Sequence, residues 1–177
     1  MRVLGVDPGL TRCGIGVIET GASRKVELVH VDTIHTDASA ELAIRVQIVG
    51  SAIANAIETF KPDAIALERV FAQQNLPSVM GVAQISGVVL FLAAEANVPV
   101  QLHTPSEVKA AVTGNGRANK AQMGAAVARL LGLTEIPKPA DSADALAVAI
   151  ASSWRLGTLR RLVGLLLIVL KTRRSVR

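Results

Sequence analysis

The chain has 177 residues, 50% of them apolar, and a formal net charge of +5, which suits one domain with a substantial core. The charge is unevenly placed: residues 155–177 carry seven basic side chains and no acid, whereas the rest carries 12 basic and 14 acidic ones. The bulk charge of the body therefore gives little support to nonspecific nucleic-acid binding. The single cysteine, Cys13, excludes an intramolecular disulfide and indicates a reducing, cytoplasmic location, and a cleaved signal peptide would remove the first strand.

The first third of the chain predicts an antiparallel meander. Three short runs rich in apolar and β-branched residues are separated by tight turns, namely residues 2–7, 14–19 and 26–36. Apolar residues then recur at spacings of three and four over residues 38–60, which indicates a helix. Residues 64–69 are apolar without alternation, as is typical of a central parallel strand that is covered on both faces.

The second half alternates helices and strands. The predicted elements are a helix over residues 77–97, a strand over 98–103, helices over 105–112 and 119–131, and a last helix from about 140 to 154. Antiparallel strands followed by parallel ones predict an α/β fold of the ribonuclease H-like class, with a mixed five-stranded sheet and helices on both faces. We expect residues 1–156 to form this domain and residues 157–177 to form a basic and apolar tail, whose apolar run of nine residues is too short to span a bilayer.

Four carboxylates stand where the predicted elements would bring them to one site. Asp7 and Glu68 each end a predicted strand. Asp141 and Asp144 are three residues apart at the start of the last helix, so they share a face. Each acid also has a simpler explanation. Asp7 could be an ordinary turn aspartate, and Glu68 could cap an exposed strand end. Asp141 and Asp144 could be acids that the helix macrodipole stabilises.

Carboxylates directed into one pocket repel one another, and a divalent cation relieves that repulsion. Ligands that are all oxygen favour Mg²⁺ or Mn²⁺, and two such ions can clamp a phosphodiester during in-line attack. The acids therefore predict a site for metal-dependent phosphodiester hydrolysis, with a nick that bears a 5′-phosphate and a 3′-hydroxyl.

Four motifs, in this order and at this spacing, resemble those of the RuvC-type Holliday junction resolvases. They are residues 5–14 (GVDPGLTRCG), 66–71 (ALERVF), 103–109 (HTPSEVK) with 114–116 (GNG), and 140–146 (ADSADAL). The resemblance covers about residues 1–155 and implies Mg²⁺-dependent nicking of two opposing strands of a four-way DNA junction by a homodimer, in recombination and repair. It also implies two Mg²⁺ per subunit, for which Mn²⁺ can substitute, with Asp7 as the bridging ligand and with Glu68, Asp141 and Asp144 completing the site; the Asp141 position varies in type within the family.

Further side chains are predicted to contact DNA. The candidates are Phe71, Lys109, Arg117 and Lys120, with Arg12 and Arg69 as weaker ones. Phe71 is an aromatic residue in a polar stretch, and the resemblance favours its stacking on an unpaired base over burial in the local core. The resemblance likewise implies DNA-binding roles for both lysines, against the ordinary alternative of a solvated helix face. His103 is expected to be a structural histidine at a strand end.

The two-fold symmetry of a four-way junction suits a C₂ dimer, which would present identical sites to opposing strands. Residues 77–97 are apolar nearly all round, buried by the core or by a second subunit, and we expect them to form much of the interface. RuvA and RuvB, the branch-migration proteins, are expected partners by analogy, and no membrane is expected. The open alternatives are another ribonuclease H-like nuclease with a different nucleic-acid substrate and a noncatalytic junction-binding protein; an actin-like kinase is disfavoured because the chain is too short for a second domain.

Overall fold

A mixed sheet organises the described chain, which comprises residues 1–21, 24–69 and 76–174 of the computed structural model, with the backbone alone for 76–78 and 159–174. Its strands are β1 (Arg2–Asp7), β2 (Arg12–Thr20), β3 (Val26–His35), β4 (Ala64–Glu68) and β5 (Val100–His103). Their spatial order is β3-β2-β1-β4-β5; β1, β2 and β3 pair antiparallel, and β4 pairs parallel with both β1 and β5. The predicted α/β fold of the ribonuclease H-like class is confirmed.

Helices cover both faces of the sheet. They are α1 (Leu42–Phe60), α2 (Leu76–Glu95), α3 (Pro105–Thr113), α4 (Lys120–Leu131) and α5 (Ala140–Arg174). Successive strand residues point to opposite faces, so Leu4 and Ile65 belong to the core under α1 and α2, whereas their neighbours Val3 and Ala66 belong to the core under α3, α4 and α5. Both central strands are thus buried on two sides, which is why their sequences lack alternation.

Three glycines allow α5 to lie against the sheet at backbone contact. A Cβ at Gly5 would stand 2.0 Å from the carbonyl oxygen of Ala145, and a Cβ at Gly14 would stand 2.1 Å from that of Asp141. Gly16 is similarly close to the Leu146 side chain. These contacts place the first turns of α5 over the ends of β1 and β2 where the chain turns from one strand to the other.

The last helix is longer than predicted. We expected it to end near residue 154, but α5 continues to Arg174, because residues 155–174 contain no proline and many good helix formers such as leucine and arginine. The expected boundary between residues 156 and 157 therefore falls inside a helix, and the separate tail stays a prediction. None of the helices, over the residues described, combines the length and the hydropathy that a membrane span requires.

Candidate metal centre

Two of the predicted acids stand side by side at the carboxyl ends of β1 and β4. The parallel register pairs Val6 with Leu67, so the next residues along the strands are Asp7 and Glu68. Val6 and Leu67 belong to the core under α1 and α2, and strand alternation therefore turns Asp7 and Glu68 towards the face that α5 covers. The carboxyl ends of parallel strands are where α/β sheets commonly bind ligands.

The first turns of α5 bring the other two acids to the same edge. Gly14 is the cross-strand partner of Asp7, and it touches the backbone of Asp141. Asp144 follows one turn later on the same helix face. All four acids are half-buried, and the fold brings them together from three separate elements.

Burial and mutual repulsion disfavour the ionised form of these carboxyl groups when no cation is near. Burial, followed by the charges of Asp144, Glu68 and Asp141, raises the pKa of Asp7 from 3.8 to about 8. Burial also raises the pKa of Glu68, with a further contribution from Asp144. Burial raises the pKa of Asp144 as well, and Lys120 opposes that rise. At neutral pH the site therefore favours either a proton on Asp7 or a bound positive charge.

Basic side chains stand at the edge of the acid group. The Arg12 Nε lies 3.3 Å from Asp141 Oδ2, and the Lys120 Nζ lies 3.8 Å from Asp144 Oδ2. The positive charges of Lys109 and Lys120 also oppose the rise in the pKa of Glu68. Both ion pairs are partly exposed and are consequently weak.

Two capped helices place these lysines. Thr104 and Glu107 form a capping box at the start of α3, which carries Lys109 near the site. Asn119 and Gln122 form a second capping box, which begins α4 at Lys120. The third basic candidate, Arg117, is exposed, and its backbone N–H donates to Asn115 Oδ1.

The donor chemistry of the site fits a hard divalent cation, whereas the present side-chain positions do not yet enclose one. Over the residues described, no group of three or more His, Cys, Asp or Glu side chains is arranged to hold a metal ion. The four acids supply only oxygen ligands, as Mg²⁺ and Mn²⁺ prefer. The raised pKa values of Asp7, Glu68 and Asp144 show that nearby positive charge does not offset their burial and mutual repulsion. Two carboxylates are paired with Arg12 and Lys120, so ligation would require these pairs to open and the carboxylates to rotate about their side-chain torsions.

Three other predicted residues have different outcomes. Phe71 lies outside the described residues. Arg69 is exposed, and its backbone N–H donates to the carbonyl oxygen of His103 at 2.7 Å. The His103 side chain is buried, its Nε2 has no hydrogen-bond partner among the described residues, and burial lowers its pKa. A neutral, buried imidazole at a strand end is what the expected structural role requires.

Cys13 is not part of the acid group. It belongs to the core on the opposite face of the sheet, under α1 and α2. Burial raises the pKa of its thiol to about 12, so the side chain stays neutral and contributes packing.

One basic residue near the site was missed by the sequence analysis. Arg45 of α1 lines a groove of about 560 Å³ whose walls also include Asp7, Arg12 and Asp141. The available signal was its position three residues after Leu42 and four before Val49, which places a charge beside the apolar stripe of the helix. Helix periodicity does not reveal the hydrogen bonds from Arg45 to Thr11 and Thr36 that hold it in the groove.

The sheet order, together with the carboxylates at the ends of β1 and β4 and at the start of α5, defines a nuclease of the ribonuclease H-like class. A family model described as RuvC, crossover junction endodeoxyribonuclease, matches residues 3–152. The chain belongs to the RuvC family, whose members are metal-dependent nucleases, and the predicted endodeoxyribonuclease activity and family are confirmed.

Bacterial relatives match over most of the chain. A crossover junction endodeoxyribonuclease RuvC of Leifsonia xyli subsp. xyli is 57% identical over 157 residues, which are 89% of this chain and 76% of that protein. The RuvC of Nocardia farcinica is 54% identical over 162 residues, which are 92% of this chain and 86% of that protein.

Solved structures agree with the sheet described above. The structure of T. thermophilus RuvC in complex with a Holliday junction substrate matches with a TM-score of 0.85 and 34% identity, over 89% of this chain and 96% of that one. The yeast mitochondrial Holliday junction resolvase Ydc2 matches with a TM-score of 0.59 and 15% identity, over 84% of this chain and 76% of that one. The second match shows the shared fold alone.

Proposed function

We propose that this chain resolves four-way (Holliday) DNA junctions in homologous recombination and DNA repair, by metal-dependent nicking of two opposing strands. The observation that carries the proposal is the meeting of Asp7, Glu68 and Asp144, with the pKa of Asp7 raised to about 8. It is supported by the membership of the chain in a family of crossover junction endodeoxyribonucleases.

Asp7, Glu68, Asp141 and Asp144 would hold two Mg²⁺ ions, or Mn²⁺ in their place. When bound, such ions supply hydroxide near neutral pH and stabilise the leaving 3′ oxygen. A bound cation would lower the raised pKa of Asp7 and so favour its carboxylate form. The products are a 5′-phosphate and a 3′-hydroxyl, which a ligase can seal.

The basic side chains would bind the DNA backbone. Lys120 and Arg12, freed from their partners Asp144 and Asp141, turn towards phosphates of the strand that enters the site. Lys109 and Arg117 contribute further phosphate contacts, and Phe71 stacks on an unpaired base at the junction centre. Phosphate contacts orient the strand and carry no sequence information by themselves.

A homodimer would present two such sites to opposing strands. Large apolar side chains of α2 are exposed in the single chain, with Met80 58%, Leu90 43% and Phe91 63% accessible. An exposed apolar face of this kind marks an interaction surface, and a second copy would cover it. A cytoplasmic location and the partners RuvA and RuvB, the latter by analogy, belong to the same proposal.

The test is cleavage of a synthetic mobile junction, a linear duplex and an RNA–DNA hybrid, with and without Mg²⁺, with the cuts mapped to the nucleotide. We expect paired symmetric nicks in the junction in the reactions that contain Mg²⁺ and none in those without it. Asp7→Asn should bind the junction and leave it uncut. Preferred cleavage of the hybrid or of the duplex would replace this proposal with another nuclease activity, and full cleavage by Asp7→Asn would remove the acid site from the chemistry.

A further inference from the structure

A groove leads away from the acid group on the side of α1 and α2. It has a volume of about 560 Å³. Its walls are the turn over residues 7–12, Arg45 of α1, residues 80–84 near the start of α2, and Asp141. Because Asp7 and Asp141 belong to both, the groove is continuous with the site proposed to cut the DNA. A strand held at the acids would have to continue past one of its edges.

Arg45 is held in this groove by hydroxyl groups. Its Nη2 donates to Thr11 Oγ1 at 2.7 Å, and its Nε donates to Thr36 Oγ1 at 3.0 Å. Thr36 is itself fixed, because its hydroxyl donates to the Leu10 carbonyl oxygen at 2.6 Å and its N–H donates to the Thr11 carbonyl oxygen. The guanidinium is consequently oriented by two partners that do not neutralise its charge.

The positive charge of Arg45 has no carboxylate in contact among the residues described. Asp37 faces it at longer range, but the Asp37 carboxylate accepts from the backbone N–H and the hydroxyl of Ser39. A guanidinium has five N–H donors, and the two bonds to the threonines leave three of them for a ligand. A planar fork of free donors matches the geometry of a phosphate group.

The lining of the groove points to the same ligand. Arg12 supplies a second guanidinium from the end of the turn between β1 and β2, and Gln84 adds an uncharged donor from α2. Phosphate oxygens accept from both kinds of group.

We propose that Arg45 binds a second phosphate of the cleaved strand, next to the phosphate that is cut, and that the groove is the path by which this strand leaves the acid site. The inference rests on the proposed junction-cleaving function and adds to it a phosphate subsite outside the acid group. The contact with Arg45 prevents the DNA strand from sliding along its backbone direction, so that the phosphate to be cut stays at the acids.

The test is a double-mutant cycle between Arg45→Gln and single neutral phosphates in the DNA. Methylphosphonates are placed one at a time on either side of the mapped cut of a synthetic junction. Binding is measured by fluorescence anisotropy in EDTA, so that no strand is cut. At one flanking position we expect the neutral phosphate to weaken wild-type binding about tenfold and to leave Arg45→Gln binding unchanged, because the same charge-assisted contact is lost in both cases. The salt dependence of Arg45→Gln binding should also decrease by about one phosphate contact.

Lys25→Gln is the matched control for the loss of one positive charge. Lys25 lies beyond the far end of β2, whose nine residues place it roughly 30 Å from Arg12. Arg45→Lys keeps the charge without the fork, so it should keep the same sensitive phosphate with a smaller penalty; it also carries the test if Arg45→Gln unfolds at the assay temperature. Identical phosphate profiles for wild type and for the Arg45 variants would overturn the subsite while leaving the proposed function intact. A wild-type chain that neither binds nor cuts junctions would overturn the proposed function and the subsite together.

Discussion

At the scale of single residues, the acid group destabilises the folded chain when no cation is bound. Asp7 holds a proton up to about pH 8 in the folded state, whereas an unfolded chain releases it near pH 4. Between these values the folded state binds more protons than the unfolded state, so the free energy of unfolding falls as the pH rises. Glu68 and Asp144 contribute in the same direction because their pKa values are also raised.

Asp7→Asn should therefore stabilise the metal-free protein at pH 8. The uncharged amide removes the cost of burying a charge and the repulsion from the neighbouring acids. We therefore expect the free energy of unfolding in EDTA to rise by on the order of 1–3 kcal/mol relative to wild type. The gain should be much smaller at pH 5, where wild-type Asp7 is already protonated. Urea unfolding at the two pH values measures both quantities.

Asp37→Asn serves as the control of opposite sign. The hydrogen bonds from Ser39 hold the pKa of Asp37 below its usual value, so its contribution to stability is present above pH 4 and is lost as the pH falls. This variant should gain nothing at pH 8. An Asp7→Asn protein that is less stable than wild type at pH 8 in EDTA would contradict the unfavourable burial of the acid.

Lys120 is expected to compete with the metal and also to assist cleavage. Its Nζ lies 3.8 Å from Asp144 Oδ2, so Lys120→Gln removes a cation that opposes metal binding. At saturating metal we expect cleavage about tenfold slower from the lost phosphate contact, with an apparent metal Kd that is unchanged or up to about threefold tighter, since the exposed pair is screened. Metal titrations of the cleavage rate separate the two effects. Asp144→Asn should weaken metal binding instead, and a Lys120→Gln enzyme that needs more metal would exclude the competition.

Sequence patterns predicted which acids meet but not what surrounds them. Asp7 and Glu68 follow apolar strands, and parallel strands end at one edge of a sheet, so their proximity follows from local pattern and topology. The tertiary placement of the helices relative to the sheet edge determines the ion pairs of Arg12 and Lys120. It also determines the position of Arg45 in the groove. No local periodicity encodes those distances.

At the scale of elements, the position of α5 depends on glycines of β1 and β2, which have no side chain to hold the helix away. The strand residue opposite Asp7 is Gly14, and the backbone of Asp141 occupies the space that any side chain there would need. The glycines of β1 and β2 are thus part of the acid site, because they set the distance between the strand that bears Asp7 and the helix that bears Asp141 and Asp144. A glycine in a strand often marks such a close approach of another backbone.

Gly14→Ala should displace the start of α5 and damage both stability and activity. The added Cβ meets backbone, which cannot rotate away, so we expect a loss of about 2–4 kcal/mol in the free energy of unfolding and a cleavage rate at least about tenfold lower. Gly157→Ala, within α5 itself, is the control, because a Cβ there meets nothing within 4 Å among the residues that the structure describes. It should be neutral or slightly stabilising. Thermal unfolding and single-turnover cleavage measure the pair, and equal behaviour of the two variants would show that α5 is not held by this contact.

The extent of α5 shows where pattern reading ends. Alanines and Trp154 define an inner stripe that sequence could place against the sheet, and α5 does pack there. Beyond Trp154 the apolar run and the arginines suggested a separate tail, yet α5 continues to Arg174. Helix continuation needs only good helix formers and the absence of a stop signal, whereas a domain boundary depends on tertiary contacts.

At the scale of the whole molecule, the single chain leaves an apolar face on α2. Phe91 is 63% exposed, which is an unfavourable position for a large aromatic side chain unless a partner covers it. A two-fold dimer through this helix would cover Phe91 and set two acid sites at a fixed separation. That geometry would explain why both opposing strands of one junction are cut.

Phe91→Glu should convert a dimer into a monomer. A charge in the centre of an apolar interface lacks a partner and is costly to bury. We therefore expect monomers by sedimentation at micromolar concentrations, whereas the wild type is expected to sediment as a dimer. The monomer should nick one strand without the second cut. Val29→Glu is the control, since Val29 is also an exposed apolar residue but lies on β3. A Phe91→Glu protein that remains dimeric would move the interface to another surface.

The measurement that tests the acid site most directly is anomalous diffraction from crystals of the chain grown with Mn²⁺. We predict anomalous peaks within ligand distance of Asp7, Glu68 and Asp144, with Arg12 and Lys120 turned away from the carboxylates that they contact here. Peaks confined to other surfaces, or none at Mn²⁺ concentrations that support junction cleavage, would contradict a metal centre formed by these acids.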